Sequence, residues 1–431
     1  MNRVTITFPV ENISVEKLLN WAKRYDVFTL LNSNSHSNNQ TDNYSNFDVL
    51  LAVDPVEIFM YEDLFHALKF ISDSNDWYIL HLSYDLKNKI ETLSSTNPDK
   101  INFPEFIIYR PAVVFEIREK KLFVHYIQEK YSPEEINLFI EQIKVQEPDQ
   151  STKGTEIRID QRLSRDEYIS EINEIKKHIQ RGDIYEMNYC QEFYSEHATI
   201  DPFQTYLDLN EISPMPFSVF SKYNEHFLMC ASPERYLAKR GQKIISQPIK
   251  GTARRDSNPE EDKLIAERLF HDEKERSENV MIVDLVRNDL GRIAERGSVR
   301  VDELCAIYSF PRIHQMISTV SSQLKKNVRF TDILKATFPM GSMTGAPKIR
   351  AMQIIDEQEL FRRGIYSGSV GYIDPNGDFD FNVVIRSIIA DEQRNEIYFP
   401  AGSAITVHCD PKAEFNECLL KARGMQDALQ E

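Results

Sequence analysis

Three glutamates have the spacing to hold a divalent cation. Glu278 begins an apolar run on a predicted helix, while Glu414 and Glu417 precede Lys421 at helical spacing and share one helix face with it. Oxygen ligands from two helices with open positions suit Mg²⁺, which keeps waters and is completed by an anionic substrate. Taken singly, Glu278 could be a solvated charge, and Glu417 could form an ordinary i,i+4 ion pair with Lys421.

Two further ionisable residues lie where strands are expected to end. Glu234 follows a proline turn, where burial would raise its pKa and suit it to proton donation, unless it pairs with Arg235. Lys250 lies between Pro248 and Gly251. Because proline and glycine favour turns, we expect Lys250 at a turn that can aim its side chain into a cleft.

Loops rich in small residues indicate anion binding. Residues 339–348 precede a predicted helix, whose first N–H groups would be free for an anion, although the Walker pattern is absent. Residues 402–404 (Gly-Ser-Ala) are predicted to form a similar turn at a strand end. Arg386, on a predicted apolar strand, is expected to pair with a carboxylate of the protein or of a ligand. Tyr366 could donate to the same ligand or simply pack.

Composition limits the class of protein. The chain has 431 residues, a formal net charge of −16 and five widely separated cysteines. This charge argues against non-specific binding to nucleic acid or a membrane surface. No run reaches the ~18 apolar residues of a membrane helix, and no secretory signal is visible. We therefore expect a cytoplasmic protein with reduced thiols.

Glycine usage suggests a boundary between two regions. All 14 glycines lie at or after Gly154. We expect an N-terminal region over residues 1–150 and a catalytic domain over residues 160–428, joined by a surface connection at 147–154. Residues 32–46, rich in Asn and Ser, are predicted to form a loop.

The order of predicted elements favours an α+β fold with largely antiparallel sheets. Apolar or β-rich runs predict strands at 27–31, 47–53, 77–82, 112–117, 121–126, 229–231, 365–373, 379–389 and 396–401. Helices are predicted at 15–24, 62–71, 133–143, 165–181 (with Ser164 as cap) and 260–290, the last ending at Gly291. Strands 112–117 and 121–126 flank a charged turn and are predicted to form a hairpin.

Taken together, these motifs resemble the chorismate-utilising enzymes, which include anthranilate, aminodeoxychorismate, isochorismate and salicylate synthases. The resemblance covers residues ~182–425 and weakens towards the N-terminus. The matching stretches are 182–185, 232–235, 248–252, 277–290, His314 with 318–320, 341–348, 366–372, 385–386 and 414–423. It implies a chorismate-binding fold, in which two packed, mainly antiparallel β-sheets are flanked by helices and the active site lies in the cleft.

Within this family, the residue at position 250 distinguishes the reactions. Anthranilate synthases resemble Pro-Ile-Ala-Gly-Thr here, whereas enzymes that aminate C4 resemble Pro-Ile-Lys-Gly-Thr, as this chain does. Isochorismate-forming relatives place a water-activating Lys within the segment matching 185–188, which contains no Lys. The resemblance therefore implies amination of chorismate at C4 to give 4-amino-4-deoxychorismate, a precursor for the biosynthesis of p-aminobenzoate and folate.

The resemblance also implies roles for individual residues. Lys250 would attack C2 as a neutral amine, its pKa lowered by burial and by Mg²⁺. Glu234 would protonate the departing hydroxyl, and Mg²⁺ on Glu278 and Glu417 would bind the ring carboxylate. The implied substrate-binding residues are Gly251, Thr252, His314, Thr344, Tyr366, Arg386, Gly402, Ser403, Ala404 and Lys421.

Departures from the family pattern bear on partners and ligands. Glu186 stands where relatives often carry Gln, and Ala404 replaces a usual Gly, which a carboxylate-cradling turn tolerates only at negative φ. Leu-Leu-Asn-Ser at 30–33 replaces the Leu-Leu-Glu-Ser of tryptophan-inhibited enzymes. No glycine-flanked cysteine nucleophile is visible, so ammonia would come from a separate glutamine amidotransferase subunit and a lyase would act downstream. An anthranilate synthase component, an isochorismate synthase-like enzyme and a non-catalytic glutaminase-binding paralogue are the alternatives.

Overall fold

The computed structural model describes residues 2–34, 44–60, 63–147 and 157–430. These residues form eleven α-helices: α1 (Val15–Ala22), α2 (Leu64–Ser72), α3 (Lys87–Ile90), α4 (Pro133–Lys144), α5 (Arg165–Arg181), α6 (Pro202–Ile212), α7 (Pro259–His271), α8 (Glu273–Ile293), α9 (Phe330–Thr337), α10 (Lys348–Gln358) and α11 (Pro411–Gln430). Short 3-10 turns occur at Tyr84–Leu86 and Gly341–Met343.

The described residues also form twenty-two β-strands. In the first half of the chain they are β1 (Arg3–Pro9), β2 (Val27–Asn32), β3 (Val49–Phe59), β4 (Tyr78–Leu82), β5 (Phe106–Arg118), β6 (Lys121–Ile127), β7 (Asp160–Gln161), β8 (Glu186–Gln191), β9 (Phe193–Ser195) and β10 (Phe217–Tyr223). The remaining strands are β11 (His226–Ser232), β12 (Arg235–Arg240), β13 (Lys243–Gln247), β14 (Ile249–Arg254), β15 (Arg300–Ser309), β16 (Ile313–Gln323), β17 (Gly345–Ala346), β18 (Ser369–Ile373), β19 (Phe379–Asn382), β20 (Ser387–Asp391), β21 (Glu396–Tyr398) and β22 (Ala401–Ile405).

Nineteen strands form one network with two arms that meet at β5, and every ladder among the described strands is antiparallel. One arm runs β1–β6–β5–β3–β2–β10–β11–β20–β21–β9–β7. The other leaves the same β5 through β4 and runs β18–β19–β12–β13–β16, with β14 and β15 also on β16. The expected α+β architecture is confirmed, and its two sheets are arms joined through one long strand. A separate small sheet has the order β17–β8–β22.

Two large hydrophobic cores among the described residues hold the sheets and helices together. The first joins the inner faces of the arms, with Leu50 and Leu228 from one arm, Leu80 and Phe381 from the other, and α8 beside them through Ile282. A second core packs the outer face of the first arm against helices from both halves of the chain, including α1, α4, α5, α6 and α11. Burial of apolar side chains at roughly 25 cal/mol per Å² makes these cores the main stabilising term.

Several sequence-based expectations are confirmed at this level. Helix α5 begins after Ser164, whose side chain accepts from the backbone of Glu167 while Glu167 caps in return. The 112–117 and 121–126 runs form the β5–β6 hairpin. Strand segments near 27, 77 and 229 are also present as β2, β4 and β11.

Other expectations were wrong in detail. The 260–290 stretch is two helices, because Asp272 leaves the helical conformation and caps α8 by accepting from the backbone of Glu275, and α8 continues past Gly291 to Ile293. The 379–389 strand is broken between β19 and β20, and the 365–373 strand begins only at Ser369. Most of the predicted loop at 32–46 and of the connection at 147–154 lies outside the described residues.

The division at residue 150 stays a prediction. Strands from both sides of it share ladders, since β2 pairs with β10 and β4 pairs with β18. No helix in the described ranges is long and apolar enough to cross a bilayer.

Candidate functional site

A cleft of about 1090 Å³ lies between β14 and α8 on one wall and β22 and α11 on the other. It is large enough for a small ligand with several polar groups. Most of the predicted site residues line it: Glu234, Lys250, Gly251, Thr252, Glu278, Tyr366, Arg386, Gly402, Ala404, Glu417 and Lys421. Residues separated by up to 187 positions in the sequence, from Glu234 to Lys421, therefore meet in one place.

Lys250 lies on an irregular strand and not on the expected turn. It belongs to β14, whose pairing with β16 shifts between Ile249 and Thr252. Gly251 makes this irregularity possible, because its φ is +84° and an added Cβ would lie 3.2 Å from the Cβ of Glu275. The shifted register places Lys250 in the cleft wall.

The neutral state expected of Lys250 beside Mg²⁺ stays a prediction, and the carboxylates near Lys250 act against it. Burial does lower the pKa of this amine, but the carboxylates of four glutamates raise it by more, so the pKa is above its ordinary value. These four are Glu186, Glu278, Glu234 and Glu275. Lys250 is therefore an ammonium at neutral pH, and any reaction through it must first remove a proton.

Glu234 is the buried acid that its position predicted. It follows β11, is 4% exposed, and burial raises its pKa to about 7, although Ser342 and Lys250 partly offset this effect. The alternative pairing with Arg235 does not occur, since the Arg235 guanidinium binds Asp380 at 2.8 Å. A carboxyl group that titrates near neutral pH can donate and accept a proton in turn.

Arg386 is held in a conformation that few non-glycine residues adopt. It lies in the break between β19 and β20 with φ at +52°. None of the carboxylates in the described ranges pairs with its guanidinium, and burial lowers its pKa to about 10. Backbone strain at such a position is typical of binding sites. The guanidinium is available for a carboxylate from outside the protein.

Gly402 and Ala404 lie within β22 and not in the expected turn. An added Cβ at Gly402 would lie 2.6 Å from the Tyr189 carbonyl oxygen, so glycine is needed there. Ala404 is not among the residues with positive φ, as its side chain requires. The backbone amide of Asn188, the partner of Ala404, donates to Thr344, away from β22. Asn188 and Ala404 are therefore a non-hydrogen-bonded pair, in which the backbone N–H and C=O groups of both residues point away from the partner strand. The Ala404 N–H accordingly points away from β8.

Three predicted substrate-binding residues do not line the cleft. Ser403 alternates with its neighbours and faces the other side of β22. The Thr344 hydroxyl donates to the Met340 carbonyl at 3.2 Å. Both ring nitrogens of His314 are engaged, with Ser309 at 2.8 Å and with Asp262 at 2.9 Å. The structure therefore gives these three residues positions behind the cleft wall.

The predicted metal ligands lie in an acidic part of the cleft. Glu417 accepts from Lys421 at 2.7 Å, the simple ion pair that its spacing allows, and Lys421 also donates to the Gly402 carbonyl at 3.0 Å. Burial raises the pKa of Glu278 to about 7. Lys274 lies 3.8 Å from Glu278 and 3.1 Å from Glu414.

This acidic part of the cleft contains carboxylate oxygens that accept no hydrogen bond from the described residues. Glu278 Oε1 and Glu414 Oε2 are buried and accept no hydrogen bond within the described part of the chain. Such oxygens fit a hard cation. No group of three or more His, Cys, Asp or Glu side chains in the described ranges has metal-binding geometry, so a cation here would take further ligands from water and substrate.

Sequence reasoning missed two of the four glutamates around Lys250. Glu275 lies one helical turn before Glu278 on α8, so helical spacing could have identified it. Glu186 was noted only as an unusual residue, because its electrostatic effect on Lys250 depends on the tertiary fold, which no local pattern encodes.

Comparisons with known proteins agree with this geometry. A family described as chorismate binding enzyme matches residues 21–427. Aminodeoxychorismate synthase component 1 of Bacillus subtilis (strain 168) is 34% identical over 359 residues, which cover 81% of this chain and 76% of that protein. Anthranilate synthase component 1 of Thermus thermophilus is 34% identical over 356 residues, with 81% and 76% covered. Aminodeoxychorismate synthase component 1 of Escherichia coli (strain K12) is 38% identical over 268 residues, or 62% of this chain and 58% of that one.

Among solved structures, anthranilate synthase component I from Streptococcus pneumoniae TIGR4 superposes with a TM-score of 0.78 at 27% identity, over 90% of this chain and 93% of that one. The menaquinone-specific isochorismate synthase MenF from Escherichia coli has a TM-score of 0.79 at 17% identity, over 100% and 94%, which shows the likeness of fold alone.

Proposed function

The chain belongs to the family of chorismate binding enzymes, and on that premise we propose that it aminates chorismate at C4 to give 4-amino-4-deoxychorismate. The observation that carries the proposal is the placement of the Lys250 amine in the same cleft as the acid Glu234 and the guanidinium of Arg386, which pairs with no carboxylate of the described residues. One group can attack, one can protonate a leaving hydroxyl, and one can hold a carboxylate.

The substrate carboxylates are proposed to lie against the basic side of the cleft. Arg386 offers a planar pair of donors, Lys421 a single ammonium, and Tyr366 a hydroxyl. The outward N–H of Ala404 adds a backbone donor on the edge of β22. These donors offset the cost of bringing a dianion to a chain of net charge −16.

We propose Glu278 and Glu417 as the residues that would hold Mg²⁺, with Glu414 and its open oxygen beside them. A bound Mg²⁺ would neutralise a substrate carboxylate. Lys274, which binds Glu414 and approaches Glu278, would have to move away from these carboxylates.

The proposed chemistry uses Lys250 and Glu234 in turn. The Lys250 amine forms a bond to C2, the two conjugated ring double bonds shift, and the C4–O bond breaks while Glu234 gives its proton to the departing hydroxyl, which leaves as water. Ammonia then adds at C4, both double bonds shift back and the bond between Lys250 and C2 breaks. Glu234 accepts the surplus proton in this return step, which a pKa of about 7 permits.

Ammonia is proposed to come from a separate glutamine amidotransferase. All five cysteines are buried, and none lines the cleft, so the described part of the chain offers no exposed thiol for glutamine hydrolysis. The names of the relatives as component 1 agree with a second component. A lyase would then convert the product to p-aminobenzoate for folate.

The test is to incubate the protein with chorismate, Mg²⁺ and ammonium, with and without an aminodeoxychorismate lyase. The proposal expects p-aminobenzoate only when the lyase is present. Anthranilate fluorescence without lyase would instead make the chain an anthranilate synthase component, the activity named for its Thermus relative.

A further inference from the structure

Asn188 lines the cleft although no sequence pattern assigned it a role. On β8, Met187 and Tyr189 point into the helix-covered core, so Asn188 and Cys190 share the opposite face. Asn188 is 8% exposed and is among the residues that line the cleft. A polar side chain buried to this extent calls for hydrogen-bond partners, either in the protein or in a ligand.

Most hydrogen-bonding groups of Asn188 are satisfied within the protein. Its backbone N–H donates to the Thr344 carbonyl at 2.8 Å, and its backbone carbonyl accepts from the Arg363 guanidinium at 2.9 Å. Its side-chain Oδ1 accepts from the Cys190 thiol at 3.1 Å. The side-chain Nδ2 donates to no described residue. Nδ2 carries two N–H donors, and it is the group that Asn188 can offer to a ligand.

The surroundings of the Asn188 amide fix which of its two ends faces the cleft. Burial raises the pKa of Cys190 to about 12, so the thiol keeps its proton and can donate it to Oδ1. An added Cβ at Gly402 would lie 2.9 Å from Asn188 Oδ1 and 2.6 Å from Cys190 Sγ. Oδ1 is therefore enclosed between the thiol and Gly402, and Nδ2 is turned towards the open cleft.

Arg363 holds the strand segment that carries this amide. Arg363 is 1% exposed, and besides the Asn188 carbonyl it binds the Met343 carbonyl at 2.6 Å and the Glu359 carboxylate at 2.5 Å. Glu359 in turn accepts from the backbone N–H of Cys190 at 2.9 Å. Because the segment is anchored before any ligand arrives, a hydrogen bond from Asn188 would cost little ordering entropy.

The free amide nitrogen lies on the same wall as the proposed carboxylate donors. Ala404 is the direct partner of Asn188, and in a non-hydrogen-bonded pair the two Cα atoms are roughly 4.5 Å apart. The Cys190 sulfur that contacts Asn188 Oδ1 also lies 3.9 Å from the Tyr366 hydroxyl. Nδ2 is therefore placed near both the outward N–H of Ala404 and the hydroxyl of Tyr366.

We infer that Asn188 is a further substrate-binding residue, whose Nδ2 donates to the chorismate carboxylate that the Tyr366 hydroxyl and the Ala404 N–H also bind. The inference deepens the proposed function and rests on it for the substrate. A carboxylate has enough lone pairs to accept from several donors at once. An amide donor suits a cleft lined with glutamates, because it carries no charge with which they could pair.

The test measures KM for chorismate in Asn188→Ala and Asn188→Asp, from chorismate consumption at saturating ammonium and Mg²⁺. Assays at pH 8 keep an introduced aspartate ionised. N188A removes a hydrogen bond to a charged group and should raise KM about 10- to 100-fold. N188D keeps the size of the side chain but sets a like charge against the carboxylate, so it should raise KM about tenfold further.

The division of the effect between KM and kcat is part of the prediction. A carboxylate keeps its charge throughout the reaction, so its hydrogen bond is as strong in the ground state as in the transition state. The kcat of N188A should therefore stay within about twofold of wild type. A loss confined to kcat would overturn the inference.

Asn32→Ala is the matched control. Asn32 is 7% exposed and lies outside the cleft lining, and both ends of its side-chain amide bind Asn34 at 3.0 Å. N32A should keep the wild-type KM and lower the free energy of unfolding, measured in urea. An Asn188 with a merely structural role would behave in the same way, and an unchanged KM in N188A would overturn the inference even if N188D fails to fold.

Other outcomes separate the contacted group and the underlying reaction. A near-wild-type KM in N188D would mean that the contacted group donates a hydrogen bond, as a hydroxyl or ammonia does, and would refute the carboxylate. The product of wild type is identified in parallel. Anthranilate would refute amination at C4, while the KM values, read from chorismate consumption, would still decide the role of Asn188. Chorismate left intact by wild type would refute both.

Discussion

Two buried groups of charges in this molecule are built on opposite principles. In the N-terminal region, Asp76 binds Arg3 and, at 2.6 Å, Arg110, and it also accepts from the Trp77 backbone. Burial raises the pKa of Asp76, but Arg3 and Arg110 lower it by more. Every charge in this group is satisfied from within the protein.

In the cleft, by contrast, charged groups lack full pairing within the described residues. Four glutamates surround Lys250, the pKa values of Glu234 and Glu278 rise to about 7, and Arg386 lies without a carboxylate partner in the described structure. A site that is unfavourable when empty is suited to binding an anion together with a cation. The contrast teaches that unsatisfied burial, and not burial itself, marks the functional charges of this fold.

The largest expected effect comes from Lys250→Ala. Removing the nucleophile should lower C4 amination about 10⁴-fold or more, because the covalent route is lost while the rest of the cleft stays intact. The rate is measured by the lyase-coupled assay. Lys263→Ala on the exposed face of α7 is the control and should keep full activity. An unchanged product and rate in K250A would remove Lys250 from the mechanism.

Two arginines test the contrast between paired and unpaired charged groups. Arg235 is 1% exposed and binds Asp380 twice, at 2.8 and 2.9 Å. Arg235→Ala should lower the free energy of unfolding by about 1.5–3 kcal/mol, because it removes the charged hydrogen bonds to Asp380 and leaves Arg240 as the remaining partner of that carboxylate. Arg386→Ala should leave stability nearly unchanged and raise KM for chorismate about tenfold or more, the value of one lost charged hydrogen bond. Urea titration measures the free energy of unfolding, and steady-state kinetics measure KM. Equal losses of stability in the two variants would contradict the contrast between paired and unpaired arginines.

Glu234→Gln should reduce kcat about 10²-fold without loss of stability, since burial disfavours the charged form of this residue. The acid form is the working form for loss of the hydroxyl. Wild-type kcat should therefore fall as pH rises through about 7, whereas kcat of the variant should not fall over this range. A fall in kcat of the variant over the same pH range would assign this titration to another group.

The smallest effect is the pH dependence of the satisfied group. The pKa of Asp76 is depressed in the folded protein, so its contribution to stability is present above the unfolded pKa and is lost as pH falls through the folded value. Asp76→Asn should cost about 1–3 kcal/mol of unfolding free energy at pH 7. Wild type and variant should converge as pH falls below the unfolded value, and a constant difference down to low pH would contradict this linkage.

Sequence reasoning succeeded where the interactions are local and failed where they join distant parts of the chain. The cap at Ser164 and the β5–β6 hairpin are local and were predicted correctly. The strand at 401–405 was taken for a turn because its pairing with β8 joins residues more than two hundred positions apart. Asp272 splits the predicted long helix through a capping bond that competes with apolar periodicity.

The same limit applies to the site. Glu278, Glu234 and Arg386 could be chosen by type and neighbourhood, and the structure brings them to one cleft. His314 was expected only from the family resemblance, and its hydrogen bonds to Asp262 and Ser309 hold it behind the wall. The raised pKa of Lys250 depends on glutamates from β8 and α8, which only the tertiary structure brings near it.

The most direct measurement of the central claim is the position of nitrogen in the product. The protein is incubated with chorismate, Mg²⁺ and ¹⁵N-ammonium without lyase, and the labelled carbon is identified by NMR. Our account predicts ¹⁵N on C4 of a ring that still carries its enolpyruvyl group, with no pyruvate released. Label on C2 with release of pyruvate would contradict it.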